Sequence, residues 1–125
     1  MKPIRVLLAD DEEELVVTLA ERLEIRGFKA EWVTTVEAAC AILLDKAYDV
    51  AVLDVKLPGM SGLDLKRKMA RIAPDLKFIF ITGHGSADSF NECAAEAGES
   101  YFLMKPINID VLVQKIRQVT GGSVK

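Results

Sequence analysis

Short apolar runs and helix-period segments alternate five times along this chain, and few architectures accept that order. Ile4 to Ala9 is a β-branched and leucine run. An acidic start at Glu12, Glu13 and Glu14 follows it and leads into Leu15, Leu19 and Leu23 at helical spacing, ending near Gly27. Phe28 to Val33 alternates apolar and polar residues, and Thr34 with Glu37 reads as a capping box before a helix over Val36 to Lys46. Val50 to Asp54 is a third strand. The Pro58-Gly59 turn comes next, then Ser61 as cap of a helix carrying Leu65, Met69 and Ile72 on one face, with Pro74 as its stop. Phe78 to Ile81 is continuously apolar, as a strand covered on both faces should be, and runs into Gly83-His84-Gly85. A fourth helix is expected from Phe90, Cys93, Ala94 and Ala97, stopping at Gly98, and a fifth strand from Tyr101 to Met104 before Pro106. Asn108 then caps a last helix with Ile109, Leu112, Val113 and Ile116 inward, ending at Gly121-Gly122. Such units connect by right-handed crossovers, so the expected fold is α/β, a doubly wound five-stranded parallel sheet in the order 2-1-3-4-5.

Composition narrows the function classes. At 125 residues, half of them apolar, the chain is about one domain long and can bury a core. A formal charge of −3 without a Lys/Arg block argues against direct nucleic-acid binding, because phosphate backbones are held by clustered basic side chains. Any DNA output is expected elsewhere. No apolar stretch approaches membrane-spanning length and no signal peptide precedes the first strand-like run, so the expected address is cytoplasmic, with no membrane partner. Cys40 and Cys93 lack metal-ligand spacing and read as small buried hydrophobes in a reducing compartment.

The chemistry sits where the apolar runs end. In a parallel sheet the carboxyl ends of the strands share one edge, and open α/β folds bind ligands there. The loops after strands one, three, four and five therefore pool Asp10, Asp11, Asp54, Thr82, Gly83, His84, Lys105 and Pro106. Carboxylates this close repel one another and raise one another's pKa, an arrangement that suits a hard divalent cation among them, with Mg²⁺ the natural candidate. Thr82 adds a hydroxyl donor and Lys105 an ammonium at neighbouring strand ends. The set suits a phosphoryl group carried on an aspartate.

These residues resemble a two-component response-regulator receiver domain, a family with the flavodoxin-like fold. The resemblance rests on Leu8-Ala9-Asp10-Asp11-Glu12, on Leu53-Asp54-Val55-Lys56-Leu57-Pro58-Gly59-Met60-Ser61-Gly62, on Ile81-Thr82-Gly83 and on Met104-Lys105-Pro106, in the family's order and spacing. It covers Ile4 to about Thr120 and implies one receiver domain over 1–125, with an ordered core of about 4–120 and residues 121–125 as a linker or tail. The resemblance implies that Asp54 is the phospho-acceptor, Asp11 and Asp54 the direct Mg²⁺ ligands, Asp10 a further holder of the ion through water, and the Lys56 backbone carbonyl the last protein ligand. It also implies that Thr82 is the switch hydroxyl, Lys105 the phosphoryl-binding lysine in a cis Lys105-Pro106 peptide, and Tyr101 the aromatic switch. Lys56 and His84, two residues beyond Asp54 and Thr82, are expected to tune the lifetime of the acyl phosphate. The implied partners are a histidine kinase or histidine phosphotransfer protein, and an output domain or second receiver on the face made by the fourth helix, fifth strand and last helix.

Individually the residues have blander readings. Asp10 or Asp11 alone would serve as a helix N-cap, Asp54 as turn chemistry before Pro58-Gly59, and Lys105-Pro106 as a loop. Tyr101 alone reads as core or rim, Trp32 as packing or surface, and His84 as a solvated loop residue. Val16, Val17 and Ala20, partly outside the Leu15, Leu19, Leu23 face, read as surface apolars that a helical partner could use. Two other functions share the fold or the chemistry. A flavodoxin-like electron carrier needs a hydroxyl- and glycine-rich first loop, and Asp10 and Asp11 would repel its flavin phosphate. A Mg²⁺-dependent phosphohydrolase places its nucleophile after strand one and encloses its substrate under a cap insertion, for which this chain has no segment. The chain is thus expected to be no true enzyme, catalysing only its own phosphorylation and slow autodephosphorylation; the alternative is an interaction module that works without phosphorylation.

Overall fold

The computed structural model describes residues 2–83 and 101–121. Strands β1 (Arg5–Ala9), β2 (Lys29–Val33), β3 (Val50–Asp54), β4 (Lys77–Thr82) and β5 (Tyr101–Met104) form one sheet in the order β2-β1-β3-β4-β5, every pair parallel. Helices α1 (Glu13–Ile25), α2 (Val36–Asp45) and α3 (Gly62–Ile72) and a C-terminal helix (Ile109–Thr120) cover it. The helix expected from Phe90 to Ala97, with Cys93, lies outside the described residues.

Alternation along the strands divides the core in two. Leu7, Ala9, Ala51, Leu53, Phe78 and Phe80 pack with Ala39, Leu43, Leu65 and Met69 of α2 and α3 on one face. On the other, Val6, Leu8, Val50, Val52, Ile79 and Ile81 meet Val16, Leu19 and Leu23 of α1 and Leu112 and Ile116 of the C-terminal helix. Burying each of the valine, leucine and isoleucine side chains contributes about 1.5–3 kcal/mol relative to leaving it exposed, which fixes strand register as well as stability. Phe80 stacks on Phe102 with ring centroids 5.3 Å apart, joining β5 to this core.

Two local expectations are corrected. The α2 cap is Thr35, whose side chain accepts from Ala38 N–H at 3.1 Å, so the pairing of Thr34 with Glu37 does not form. With Thr35 at the cap, position N3 is Ala38, and Glu37 falls one residue short of the capping-box geometry. The buried face of α1 is Val16, Leu19, Ala20 and Leu23, while Leu15 and Val17 are half-buried. That set has the i, i+3, i+4, i+7 spacing of a helix seated on a sheet, and it removes Val16 and Ala20 from any docking surface. Three further caps fall as the sequence predicts: Ser61 accepts from Asp64 N–H at 3.1 Å, Asn108 from Asp110 and Val111 N–H, and Gly121 ends the last helix at φ +72°.

Candidate functional site

The carboxyl edge of the sheet is built by backbone hydrogen bonds that extend the ladder into the loops. Asp10 N–H donates to Val33 O, Val55 N–H to Ile81 O and Lys105 N–H to Thr82 O, at 3.3, 3.0 and 2.8 Å. Asp10, Asp54, Thr82 and Lys105 are thereby held at the ends of four adjacent strands. The residue after Asp54 is fixed from the other side too, because Gly62 N–H donates to Val55 O at 2.9 Å and brings the first turn of α3 onto the loop. Only a glycine allows this approach, since a Cβ on Gly62 would lie 2.7 Å from Val55 Cα and 3.0 Å from Asp54 O.

Asp10, Asp11 and Asp54 each present a carboxylate oxygen within 4.8 Å of the others. Asp10 and Asp54 are buried and Asp11 is exposed, so the cluster opens to solvent on one side. Asp10 Oδ1 accepts from Glu12 N–H at 2.9 Å, and its buried Oδ2 faces the Lys105 ammonium at 3.0 Å. Burial pushes the Asp10 carboxyl up to about 6, against the Glu12 N–H and the Lys105 ammonium, which favour the charged form. An all-oxygen donor set of three converging carboxylates, two of them buried, fits a small hard divalent cation.

Lys105 brings an ammonium into this cluster. Its Nζ lies 3.0 Å from Asp10 Oδ2 and 3.5 Å from Asp54 Oδ2, and it also donates to Glu12 Oε1. Burial alone would lower the Lys105 pKa, but the hydrogen bonds to Glu12 and Asp10 outweigh it and raise the group above its ordinary value. Its peptide bond to Pro106 is cis, as the family resemblance implies. Thr82 is buried, with its hydroxyl 3.4 Å from Gly83 O. Lys56 N–H donates to Asp54 Oδ1 at 3.0 Å, so the backbone of this residue reaches the Asp54 carboxylate.

Tyr101 opens β5 opposite Ile79. The switch role expected of Tyr101 concerns a ring outside the described part of the structure, and the lifetime role expected of His84 also falls outside the described residues. Glu12 is legible in the sequence as part of an acidic helix start and of the Leu8-Ala9-Asp10-Asp11-Glu12 segment, but not as a partner of Lys105, a contact that spans 93 positions. The one signal in its favour is that glutamate is a poor occupant of the N-cap position.

Fold and edge together define a class: a parallel doubly wound sheet whose carboxyl ends carry three aspartates, a hydroxyl and a lysine. The family model described as the response regulator receiver domain matches residues 6–117, and the chain belongs to that family of two-component signalling domains. It is 35% identical over 114 residues to the C4-dicarboxylate transport transcriptional regulatory protein DctD of Rhizobium meliloti (strain 1021), covering 90% of this chain and 24% of that protein. It is 30% identical to the response regulator receiver protein CpdR of Brucella abortus (strain 2308), over 92% of this chain and 95% of CpdR. Among solved structures, the non-phosphorylated HemR receiver domain from Leptospira biflexa superposes with a TM-score of 0.80 at 33% identity, covering 99% and 97% of the two chains. The chain thus spans about a quarter of DctD and nearly all of CpdR. Receiver domains are in general not true enzymes, and no described helix is long and apolar enough to cross a membrane.

Proposed function

We propose that Asp54 accepts a phosphoryl group from the phosphohistidine of a histidine kinase or histidine phosphotransfer protein. The observation that carries this reading is the placement of the Lys105 ammonium 3.5 Å from Asp54 Oδ2, within a cluster where Asp10 and Asp11 oxygens also converge. An Asp54 carboxylate oxygen attacks phosphorus as the donor nitrogen–phosphorus bond breaks, and charge accumulates on the equatorial oxygens of a loose transition state. Lys105 neutralises part of that charge. Asp11 and Asp54 would hold Mg²⁺ directly, Asp10 through water and Lys56 through its backbone carbonyl, and the ion would supply the remaining positive charge. Histidine then leaves, and the product is an acyl phosphate on Asp54.

Its oxygens offer acceptors to the Thr82 hydroxyl, and the movement of Thr82 vacates space for the Tyr101 ring. The readout is a changed face made by the expected fourth helix, β5 and the C-terminal helix, where an output domain or a second receiver docks. Lys56 and His84 flank the phosphoryl group and set how fast water removes it. In this reading the chain is one receiver unit with a core over 4–120 and a linker or tail from 121. It works in the cytoplasm and catalyses only its own phosphorylation and slow dephosphorylation. An interaction module that ignores phosphorylation is not favoured, because such a module has no need of Lys105 beside Asp54.

Adding Mg²⁺ with beryllofluoride, a stable phosphoryl mimic, tests the reading. Amide resonances of Asp54, Thr82, Lys105 and Tyr101 shift together in the wild type and stay in place in Asp54→Asn. Equal shifts in the two proteins would remove Asp54 from its role.

A further inference from the structure

Lys105 has three carboxylate partners, and a cation seated among the aspartates competes for two of them. The third, Glu12, is not among the convergent oxygens of Asp10, Asp11 and Asp54. We propose that Glu12 is a positioning residue for Lys105: its carboxylate keeps the ammonium at the mouth of the site when Asp10 and Asp54 turn to the cation. Lys105 then stays within reach of the incoming phosphoryl group instead of competing with the ion for the aspartates. This inference rests on the phospho-acceptor reading above.

The local structure of Glu12 is made for that use. It occupies the N-cap of α1, where a side chain ordinarily accepts from the first free N–H groups, yet Glu12 makes no side-chain cap hydrogen bond. Its backbone is tied at both ends, through N–H to Asp10 Oδ1 at 2.9 Å and through its carbonyl to Leu15 and Val16 N–H at 3.1 and 3.2 Å. The side chain is therefore aimed from a fixed base, and it is spent on Lys105. Its 60% exposure, against 0% for Asp10, places this carboxylate at the rim while the aspartate lies inside. An aspartate at this position would carry the same charge but be one methylene shorter.

Two measurements test this. In metal-free protein, Glu12→Gln moves the ¹³C shift of the Lys105 ε-methylene; an unmoved signal overturns the contact whatever the site does with phosphate. The second is a Mg²⁺ titration by amide shifts, run as a double-mutant cycle with Lys105→Met. Glu12→Gln raises the Mg²⁺ Kd about tenfold when Lys105 is present, through lost charge plus a lysine thrown back onto Asp10 and Asp54. In Lys105→Met the same change raises it only about two- to threefold, the share expected of one rim charge in a screened, high-dielectric setting. Glu12→Asp restores the charge share and not the remainder.

Equal effects in the two backgrounds, or full rescue by Glu12→Asp, would reduce Glu12 to a bystanding charge and overturn the inference. A wild type that binds Mg²⁺ with no shift at Asp11 or Asp54 would instead overturn the phospho-acceptor reading itself. Urea midpoints of all variants accompany the titrations, and a loss of Mg²⁺ affinity that tracks loss of stability in both backgrounds also counts against positioning.

Discussion

Replacing Gly62 by alanine adds a single methyl group where the first turn of α3 touches the strand end that carries Asp54. The new Cβ would sit 2.7 Å from Val55 Cα, 3.0 Å from Asp54 O and 3.4 Å from Val55 C, all backbone atoms that no rotamer change can move. The helix must back away, stretching the 2.9 Å hydrogen bond from Gly62 N–H to Val55 O. Overpacking of this kind costs about 1–3 kcal/mol and a weakened buried hydrogen bond about 0.5–1.5 kcal/mol, against a helix-propensity gain of at most about 1 kcal/mol at an end position. A net loss of about 2 kcal/mol lowers the Tm of a domain this size by roughly 6–10 °C. Thermal and urea unfolding by circular dichroism, with fluorescence of the single Trp32 as a second probe, gives the value. Gly59→Asn is the control: Gly59 has φ +92° but open space around its Cβ, and asparagine tolerates that backbone, so the loss stays below about 1 kcal/mol. A Gly62→Ala protein as stable as wild type would refute the close-approach argument.

Other outcomes follow from the polar contacts. Tyr48, buried and donating to Glu31 Oε1, fastens the loop before β3 to edge strand β2; Tyr48→Phe costs about 1–2 kcal/mol in urea unfolding, and no loss would show that Lys46 alone suffices. Glu31 is held below its ordinary 4.5 by hydrogen bonds from Lys46, first, and Tyr48, against some burial. A depressed carboxylate contributes stability that is fully present above its unfolded pKa and is lost as pH falls through its folded one. The stability gap between wild type and Glu31→Gln therefore shrinks below about pH 4.5, and it stays small throughout because the pair is solvent-screened. A gap that widens in acid would invert the assignment. Asp11→Ala removes Mg²⁺ binding in an amide-shift titration, since two carboxylates do not offset dehydration of so small an ion; unchanged affinity would exclude Asp11 from the ligand set.

The sheet was legible because its physics is local. Continuously apolar runs as short as Val50 to Leu53 and Phe78 to Ile81 suit strands covered on both faces better than helices, and the polar residues that end them mark the carboxyl edge. Asp54, Thr82 and Lys105 can be pooled from the sequence alone for that reason. Resolution was lost where two adjacent residues carry the same signal: Thr34 and Thr35 both offer a capping hydroxyl, and only the entry angle of α2 selects Thr35. The α1 face was misplaced because Leu15, Leu19 and Leu23 outweigh Val16 and Ala20 in hydrophobicity, although the latter complete the better helical spacing. Contacts between distant parts of the chain left no trace. The link from Glu12 to Lys105 and the cluster of Arg5, Glu31, Lys46 and Tyr48 depend on where the strands lie side by side, which no local pattern encodes.

The central claim is that this chain supplies the acceptor, the cation ligands and the lysine, so that a donor need bring only the phosphoryl group and its positioning. Intact-protein mass spectrometry after incubation with Mg²⁺ and acetyl phosphate, with no kinase present, tests it most directly. The wild type gains the mass of one phosphoryl group, chelation of Mg²⁺ prevents the gain, and Asp54→Asn gains nothing. A wild type that stays unlabelled where another receiver is labelled, or an Asp54→Asn protein that is labelled equally, would contradict the assignment of Asp54 as the phospho-acceptor.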